Sequence, residues 1–336
     1  MTNDTNSSTN PVPNFYRASA ADFKKIPGGP IAYWVSDKVR DTFTLFPNLE
    51  SVSTSAVGQN TGDNDRFLRH WYEVNIQLID FKAEVRELTF TDLVKWYPYN
   101  KGGEFRKWFG NFVYVVNWQN DASEIKEYAV QRNNGKHWSR YIQNLDWVFK
   151  EGITWSDVTS GKLSGRYLPK GFISDVSGHS AFFSQVDLKI GLSIINSNFV
   201  YNISNILNPT IHFQAGNYRD IPYSKELNKP ETENIVTKLI SIAKSDWDSY
   251  ETSWDFTSLP LLNHDCRQPT LKATYQTLRA HWREMTLEMQ RQEEENNRIF
   301  IDAYGLQDEL TPEVSLNEIT LTCNPHYRYG NDKGED

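Results

Sequence analysis

Residues 271–289, LKATYQTLRAHWREMTLEM, carry the clearest periodicity in this chain of 336 residues. Their apolar side chains recur at alternating spacings of four and three residues, at Leu271, Tyr275, Leu278, Trp282, Met285 and Met289. Such a repeat predicts a long helix with one apolar seam, which needs a second helix to cover it. We expect that partner near Ile235 to Ala243, where apolar residues share one helical face. The polar run 290–297, QRQEEENN, is predicted to be the solvated end of the long helix.

Upstream of this helix, the patterns predict strands. Phe112 to Trp118, FVYVVNW, is typical of a buried strand, and the alternation of apolar and polar residues from Tyr72 to Leu78 predicts a half-buried one. Ile211 to Gln214 is predicted as a further strand, which ends before Pro222.

Shorter helices are predicted between and after the strands. The apolar pattern from Asp187 to Leu207 is interrupted by Asn196-Ser197-Asn198, which predicts two short helices. A first helix is expected near Ile31 to Thr42, after a Pro-Gly-Gly-Pro turn, and Pro230 is typical of the first residue of a helix. Strands and helices together predict a mixed α/β (α+β) fold.

The charge of the chain is uneven. The formal net charge is −8, but residues 95–170 contain 12 Lys or Arg and 7 Asp or Glu, whereas residues 225–336 contain 12 and 21. Because salt screens distant charges, a locally basic region can bind phosphates even within an acidic chain. The composition therefore leaves nucleic acid open as a partner, while the acidic region favours contact with protein.

The sequence also limits the setting of the protein. Residues 1–13, MTNDTNSSTNPVP, contain no apolar stretch and predict a disordered tail rather than a signal peptide. No apolar run is long enough to span a membrane. Two cysteines are too few for a disulfide framework, and the seven histidines lack the spacing of a metal site. We therefore expect a cytoplasmic protein without a metal site or membrane partner.

Three stretches carry functional information. The first is Gly58 to Phe67, GQNTGDNDRF. The second is Lys95 to Trp108, KWYPYNKGGEFRKW, followed downstream by Arg132 to Arg140, RNNGKHWSR. The third is Asn297 to Leu306, NRIFIDAYGL, at the end of the long helix.

In this order the stretches resemble a known family. The first is similar to the Thr-Gly-X-Asn-X-X-Phe loop that opens many target-recognition domains of adenine methyltransferases. The third is similar to a segment that follows recognition domains in type I specificity subunits. From Asn14 to Gly330 the chain resembles the C-terminal target-recognition region of the BREX phage-defence adenine-specific DNA methyltransferases, the PglX family.

The resemblance implies a DNA target-recognition domain over residues 14–224, a helical spacer and docking region over 225–310, and a C-terminal exit segment over 311–336. It implies double-stranded DNA, a methyltransferase catalytic domain and other BREX proteins as partners. The catalytic half of that family binds S-adenosylmethionine through a glycine-rich loop and holds the flipped adenine with an Asn/Asp-Pro-Pro-Tyr/Phe motif. Neither motif occurs here. The nearest match to the second motif, Asn324-Pro325-His326-Tyr327, has His for the second proline and is interpreted as a loop. We expect no cofactor and no methyl-transfer chemistry in this chain.

The loops of the first two stretches supply the candidate DNA-binding residues. Arg and Lys suit phosphates and guanine, and Asn and Gln suit adenine. The candidates are Gln59, Thr61, Asn64, Arg66, Asn100, Lys101, Arg106, Lys107, Arg132, Asn133, Lys136, Trp138 and Arg140.

Two alternatives stay open. The basic residues are also compatible with ordinary solvated surface, and most tryptophans are expected in the core, with Trp108 and Trp138 as the two candidates for base stacking. The chain could instead be a protein-interaction module of the defence complex that does not bind DNA itself.

Overall fold

The computed structural model describes residues 19–91, 93–158, 162–184 and 186–330, so the tail predicted over residues 1–13 lies outside the described residues. The mixed α/β fold is confirmed. The strands are β1 Ser53–Ala56, β2 Leu68–His70, β3 Trp96–Asn100, β4 Tyr114–Asn117, β5 Gly152–Ser156, β6 Gly165–Leu168, β7 Ile173–Ser174 and β8 Gly178–Phe183. The helices are α1 Ala20–Phe23, α2 Asp37–Leu45, α3 Asn64–Phe67, α4 Gln119–Arg132, α5 Leu188–Ile195, α6 Asn198–Leu207, α7 Ala215–Arg219, α8 Pro230–Trp247, α9 Leu271–Tyr304 and α10 Pro325–Tyr329.

The strands form two four-stranded sheets. The first sheet has the order β1-β8-β5-β6 and is antiparallel throughout. The second has the order β2-β4-β3-β7, in which only the β3–β7 pair is parallel. The buried strand predicted in FVYVVNW is confirmed as β4, which occupies an interior position in the second sheet.

The larger hydrophobic core joins the first sheet to the helices. Side chains from β5, β6 and β8 pack with α5, α6, α8 and α9 in one continuous cluster. The two short helices predicted on either side of Asn196-Ser197-Asn198 are confirmed as α5 and α6, and the predicted start of α8 at Pro230 is confirmed. The core therefore draws on both the predicted recognition domain and the predicted helical region.

A smaller core lies on one face of the second sheet. Tyr97, Tyr99 and Val116 of the sheet pack there against Ile125 and other residues of α4. The opposite face carries a separate small cluster around Trp96 and Val115. The two clusters follow from the period-2 alternation of side chains along β3 and β4.

Two predicted strands are wrong. From Tyr72 to Leu78 the chain forms short 3-10 turns, because the Glu73 carboxylate accepts a hydrogen bond from the backbone N–H of His70 and ends β2 there. Residues 211–214 make only an isolated bridge between Val158 and His212. In both segments apolar and polar side chains alternate, but apart from that bridge no strand of either sheet pairs with them. The helix predicted near Ile31 to Thr42 is α2, which the short α1 precedes, and it starts later than predicted, at Asp37, where the Ser36 hydroxyl caps it.

The predicted long helix is confirmed as α9, of 34 residues, and its seam packs on α8 only in part. Leu278 and Met289 are buried, whereas Leu271 and Tyr275 are exposed. Since α8 has 18 residues, it is about half as long as α9 and cannot cover the whole seam. The seam is therefore a packing surface over its C-terminal part alone.

The polar run 290–297 is not the solvated end of this helix. The helix continues through it, and Glu293, Asn296 and Asn297 are buried there. Each is hydrogen-bonded: Asn296 to Ser193, Asn297 to the backbone N–H of Asn198, and Glu293 to the segment before β4. A polar run can be buried when each group has a partner, which periodicity does not report.

We predict that Leu278→Asp lowers the free energy of unfolding by roughly 3 kcal/mol or more, because it buries an unpaired charge in the seam. Leu271→Asp is the matched control and should change it by less than about 0.5 kcal/mol, since Leu271 is 71% exposed. Chemical denaturation of both variants measures the difference. Equal effects at the two positions would contradict the packing of α9 described above.

Candidate nucleic-acid interface

Two of the predicted recognition loops lie side by side. The Gln59 side chain donates to the backbone carbonyl of Gln143 at 2.7 Å and accepts from its N–H at 2.8 Å. The backbone N–H of Asn60 donates to the carbonyl of Tyr141 at 2.8 Å. These bonds hold the loop before α3 against the segment that follows α4, although about 80 residues separate them in sequence.

Close packing at Gly62 makes this contact specific. Gly62 has a φ of +72°, and a Cβ added there would lie 2.6 Å from the Tyr141 ring, so a larger residue does not fit. Arg132 Nη1 donates to the Gly62 carbonyl at 3.2 Å and to the Tyr128 hydroxyl at 2.7 Å. An open cleft of about 300 Å³ results, lined by Asn60, Thr61, Gly62, Asp63, Asn64, Arg132 and Tyr141.

Half-buried rings surround the smaller core, and several carry a cation. Tyr114, Tyr128, Trp138 and Tyr141 all pack against this core. Lys101 lies 5.3 Å from the Tyr114 ring centroid, Arg66 lies 5.3 Å from that of Tyr128, and Lys126 lies 4.7 Å from that of Trp138. We call this set of rings and cations, together with the exposed Lys136 and Arg140 on either side of Trp138 in the sequence, the aromatic rim. Aromatic rings with cations beside them are typical of surfaces that bind nucleic acids.

The exposed cations of the rim are available to a ligand. Among the described residues, Arg66, Lys136 and Arg140 are exposed and make no ion pair with a carboxylate. Asn64 is exposed beside them, while Asn133, Lys101 and Trp138 are partly exposed. Asn64 and Arg132 line the same cleft, and Arg66 and Arg132 both lie near the Tyr128 ring.

Three other candidates shape the loops from within. Gln59 and Thr61 are buried, and the Thr61 hydroxyl donates to Asn64 Oδ1 at 2.7 Å. Asn100 is fully buried at the end of β3, where its amide donates to Thr154 and to the carbonyl of Gly178. Their contacts position the loops and leave no side-chain surface for DNA.

Arg106 and Lys107 do not belong to this surface, contrary to the expectation of an exposed basic loop. Each is 6% exposed. Arg106 donates to the Thr322 hydroxyl at 2.7 Å and pairs with Asp246, and Lys107 pairs with Glu293 on α9. Trp108 is also buried, with its indole N–H donating to Glu293 at 2.8 Å, so it is not a stacking candidate. The partners lie far away in sequence, where a local motif cannot show them.

Three rings of the rim, Tyr114, Tyr128 and Tyr141, are functional candidates that sequence reasoning missed, whereas Trp138 was among the predicted residues. Tyr128 and Arg132 stand four residues apart on α4, so both side chains point to one face, where they are hydrogen-bonded. That spacing was visible in the sequence. The contact of Tyr141 with Gly62 was not, because it depends on how the two loops meet.

Asn324, in the segment that partly matches a flipped-base motif, is buried, and its side chain is hydrogen-bonded within the protein. Its amide donates to the carbonyls of Leu316 and Ile319, and its Oδ1 accepts the N–H of His326 as the cap of α10. The segment predicted as a loop is thus a helix cap followed by a short helix, and the Asn324 side chain has no free edge for a base.

The buried pair at Glu293 gives a test of stability with pH. Burial raises the pKa of the Glu293 carboxyl, and Lys107 and Trp108 act in the opposite direction. Lys107→Met leaves a buried, unpaired carboxylate, so we predict a loss of about 3–5 kcal/mol at neutral pH.

The sign of the pH dependence follows from the raised pKa. A carboxyl whose pKa is higher in the folded than in the unfolded state takes up a proton on folding, so the penalty grows as pH rises above the unfolded value. The loss in Lys107→Met should be smaller at about pH 5 than at about pH 8, as urea denaturation would measure. Lys162→Met, which breaks a partly exposed pair with Glu318, should cost at most about 1 kcal/mol. A similarly small loss in the free energy of unfolding in both variants would contradict the structural role of Lys107.

Other classes of site receive no support from the described part of the chain. No cluster of three or more His, Cys, Asp or Glu side chains there is arranged to hold a metal ion. None of the described helices combines the length and apolar character needed to cross a membrane.

Comparison with known proteins gives relatives but no family model, since none matches the chain. The type IIL restriction-modification enzyme MmeI, solved in complex with DNA, aligns with 78% of this chain and 34% of its own at 12% identity, with a TM-score of 0.40. That degree of structural similarity does not define a shared fold.

Two curated relatives match far more closely in sequence. The adenine-specific methyltransferase PglX of Lacticaseibacillus casei (strain Zhang) is 37% identical over 318 residues, which are 93% of this chain and 26% of the relative. The adenine-specific methyltransferase BrxX of Escherichia coli O9:H4 (strain HS) is 34% identical over 318 residues, which are 94% of this chain and 24% of the relative. Nearly the whole chain is therefore similar to about a quarter of the length of adenine-specific methyltransferases named PglX and BrxX.

Proposed function

We propose that this chain is the DNA target-recognition part of an adenine-specific DNA methyltransferase of the BREX type, belonging to the PglX family. The observation that carries the proposal is the aromatic rim, where cations lie over half-buried rings beside a polar cleft. Similarity to PglX and BrxX over almost the whole chain supports the same assignment.

The rim and the cleft suit different parts of DNA. Arg66, Lys136 and Arg140 offer positive charge to phosphates, which fixes the register of a protein on a duplex. The cleft contains Asp63, whose carboxylate repels phosphate but accepts hydrogen bonds from base amines, together with the amides of Asn60 and Asn64. We therefore assign phosphate contacts to the rim and base contacts to the cleft.

Methyl transfer would reside in the part of the relatives that this chain does not match. The buried Asn324 supports this division, because it cannot accept the exocyclic amine of an adenine. S-adenosylmethionine and the flipped base would bind a catalytic domain, while this chain selects the site.

The alternative is a protein-interaction module, and one surface favours it. Several large apolar side chains between residues 76 and 93 are exposed, namely Ile76, Leu78, Val85, Leu88, Phe90 and Leu93. Exposed apolar side chains at this density are typical of protein contact surfaces. The catalytic domain or other BREX proteins would be the partners in that case.

Replacing Arg66, Lys136 and Arg140 together by Ala should weaken duplex binding and flatten its salt dependence. Each lost phosphate contact removes about 0.9 from the slope of log affinity against log salt, so the slope should fall by up to about 3 units. Fluorescence anisotropy with a labelled duplex at several salt concentrations measures the slope.

A charge-matched control separates contact from net charge. Lys225, Lys229 and Lys272 are exposed residues outside the rim, and their triple Ala variant loses the same charge. We expect this control to keep the slope of the unchanged protein. If both triple variants give the same slope, the rim does not contact phosphates and the interaction-module alternative is favoured.

Asn64→Ala and Asn133→Ala should act on sequence preference instead. If the asparagine reads a base, its replacement should weaken binding to the preferred site by about 1–3 kcal/mol and leave the salt slope unchanged. Competition between a duplex selected from a random pool and an unselected duplex measures this effect. Asn228→Ala, at an exposed position outside the rim, is the control. Loss of affinity for both duplexes alike would argue against base reading.

A further inference from the structure

A column of stacked rings extends from Tyr114 of the aromatic rim, through His70, to Tyr72 at the edge of the second sheet. The rings of Tyr72 and His70 stack with centroids 5.2 Å apart and planes 9° apart, and His70 stacks on Tyr114 at 4.7 Å. Lys101 lies over the same Tyr114 ring. The outermost ring, Tyr72, is 59% exposed.

Strand register places His70 and Tyr114 of this column on the face that carries the aromatic rim. His70 lies directly opposite Tyr114, which lies opposite Tyr99, and such cross-strand partners share one face of a sheet. Tyr99 and Tyr114 both belong to the core that the rim surrounds. A ligand spread over this face can therefore contact both the column and the rim.

The column also lies close enough to the rim to meet the same DNA. Six residues separate Arg66 from Tyr72, so at about 3.3 Å per residue the distance is at most about 20 Å. One turn of duplex DNA spans about 34 Å. A duplex bound at Arg66 is therefore long enough to reach Tyr72.

We propose that Tyr72 is the outer plate of a stacking site for a nucleobase that has left the duplex stack. The proposal rests on the DNA binding inferred above and adds an unpaired base to its ligands. His70 and Tyr114 back the Tyr72 ring and hold its plane, which lowers the entropy lost when a base stacks on it.

The chemistry of the column fits a base better than an aliphatic partner. Every nucleobase has a π face that stacks on an aromatic ring without regard to sequence. Glu73 lies beside His70 and would repel phosphate, so the base must enter at Tyr72 rather than over His70.

The test compares two duplexes that differ in one base. One is fully paired, and the other has a single extra, bulged 2-aminopurine, whose fluorescence falls when it stacks. We expect the chain to bind the bulged duplex about 5- to 150-fold more tightly, the range that corresponds to 1–3 kcal/mol per stacked base, and to quench the fluorophore.

Substitutions of Tyr72 test whether the preference for the bulged duplex depends on this ring. Tyr72→Ala should lose both the preference and the quenching, whereas Tyr72→Trp should keep them because it retains a planar ring. Tyr275→Ala, at a tyrosine of similar exposure on α9, is the matched control and should behave like the unchanged protein. Thermal unfolding should show that all three variants fold.

The possible failures are distinguishable. If the unchanged chain binds both duplexes equally, or if Tyr72→Ala keeps the preference, the stacking site is overturned while duplex binding at the rim stands. If the chain binds neither duplex at any salt concentration, the proposed function fails and the stacking site fails with it.

Discussion

The buried ion pair between Lys107 and Glu293 is the contact on which the attachment of the second sheet to α9 depends. It lies in the segment that joins β3 to β4, and the neighbouring Trp108 exchanges backbone hydrogen bonds with β6 of the first sheet. Arg106 fixes the same segment to Asp246 on α8 and to the C-terminal segment at Thr322. One short stretch of chain thereby attaches the second sheet to the first sheet, to α8 and to α9. Because breaking a buried charge pair costs much free energy, this segment stays attached in the folded protein.

This attachment gives the proposed recognition surface a rigid base. The aromatic rim surrounds the small core of the second sheet, so the rings are held in place by packing. The two loops beside them are fixed to each other by the Gln59–Gln143 hydrogen bonds and by the fit of Gly62 against Tyr141. Loops that are ordered before binding lose less conformational entropy when a ligand arrives. The long side chains of Arg66, Lys136 and Arg140 remain exposed at the surface of this base.

Sequence periodicity predicted the elements that bury a continuous apolar face, among them β4, α5, α6 and the long helix. It failed at Tyr72 to Leu78, where alternation occurs without a neighbouring strand, and at residues 290–297, where polar side chains are buried against specific partners. The candidate site shows the same limit. FRKW and KHWSR look alike in sequence, since both place cations beside a tryptophan. Only the first meets Asp246 and Glu293, which lie 140 or more residues away, so only the first is withdrawn from the surface.

We propose that DNA contacts the aromatic rim and its two loops, while the basic segment around Lys107 stabilises the fold. Amide hydrogen exchange of the chain with and without a fully paired duplex tests this most directly. We expect slower exchange on DNA binding at residues 60–66 and 133–141, with no change at Lys107 and Trp108, whose amides already donate to the Thr320 hydroxyl and to the Gly165 carbonyl of β6. Protection confined to the exposed apolar surface between 76 and 93, or to the N-terminal half of α9, would contradict it.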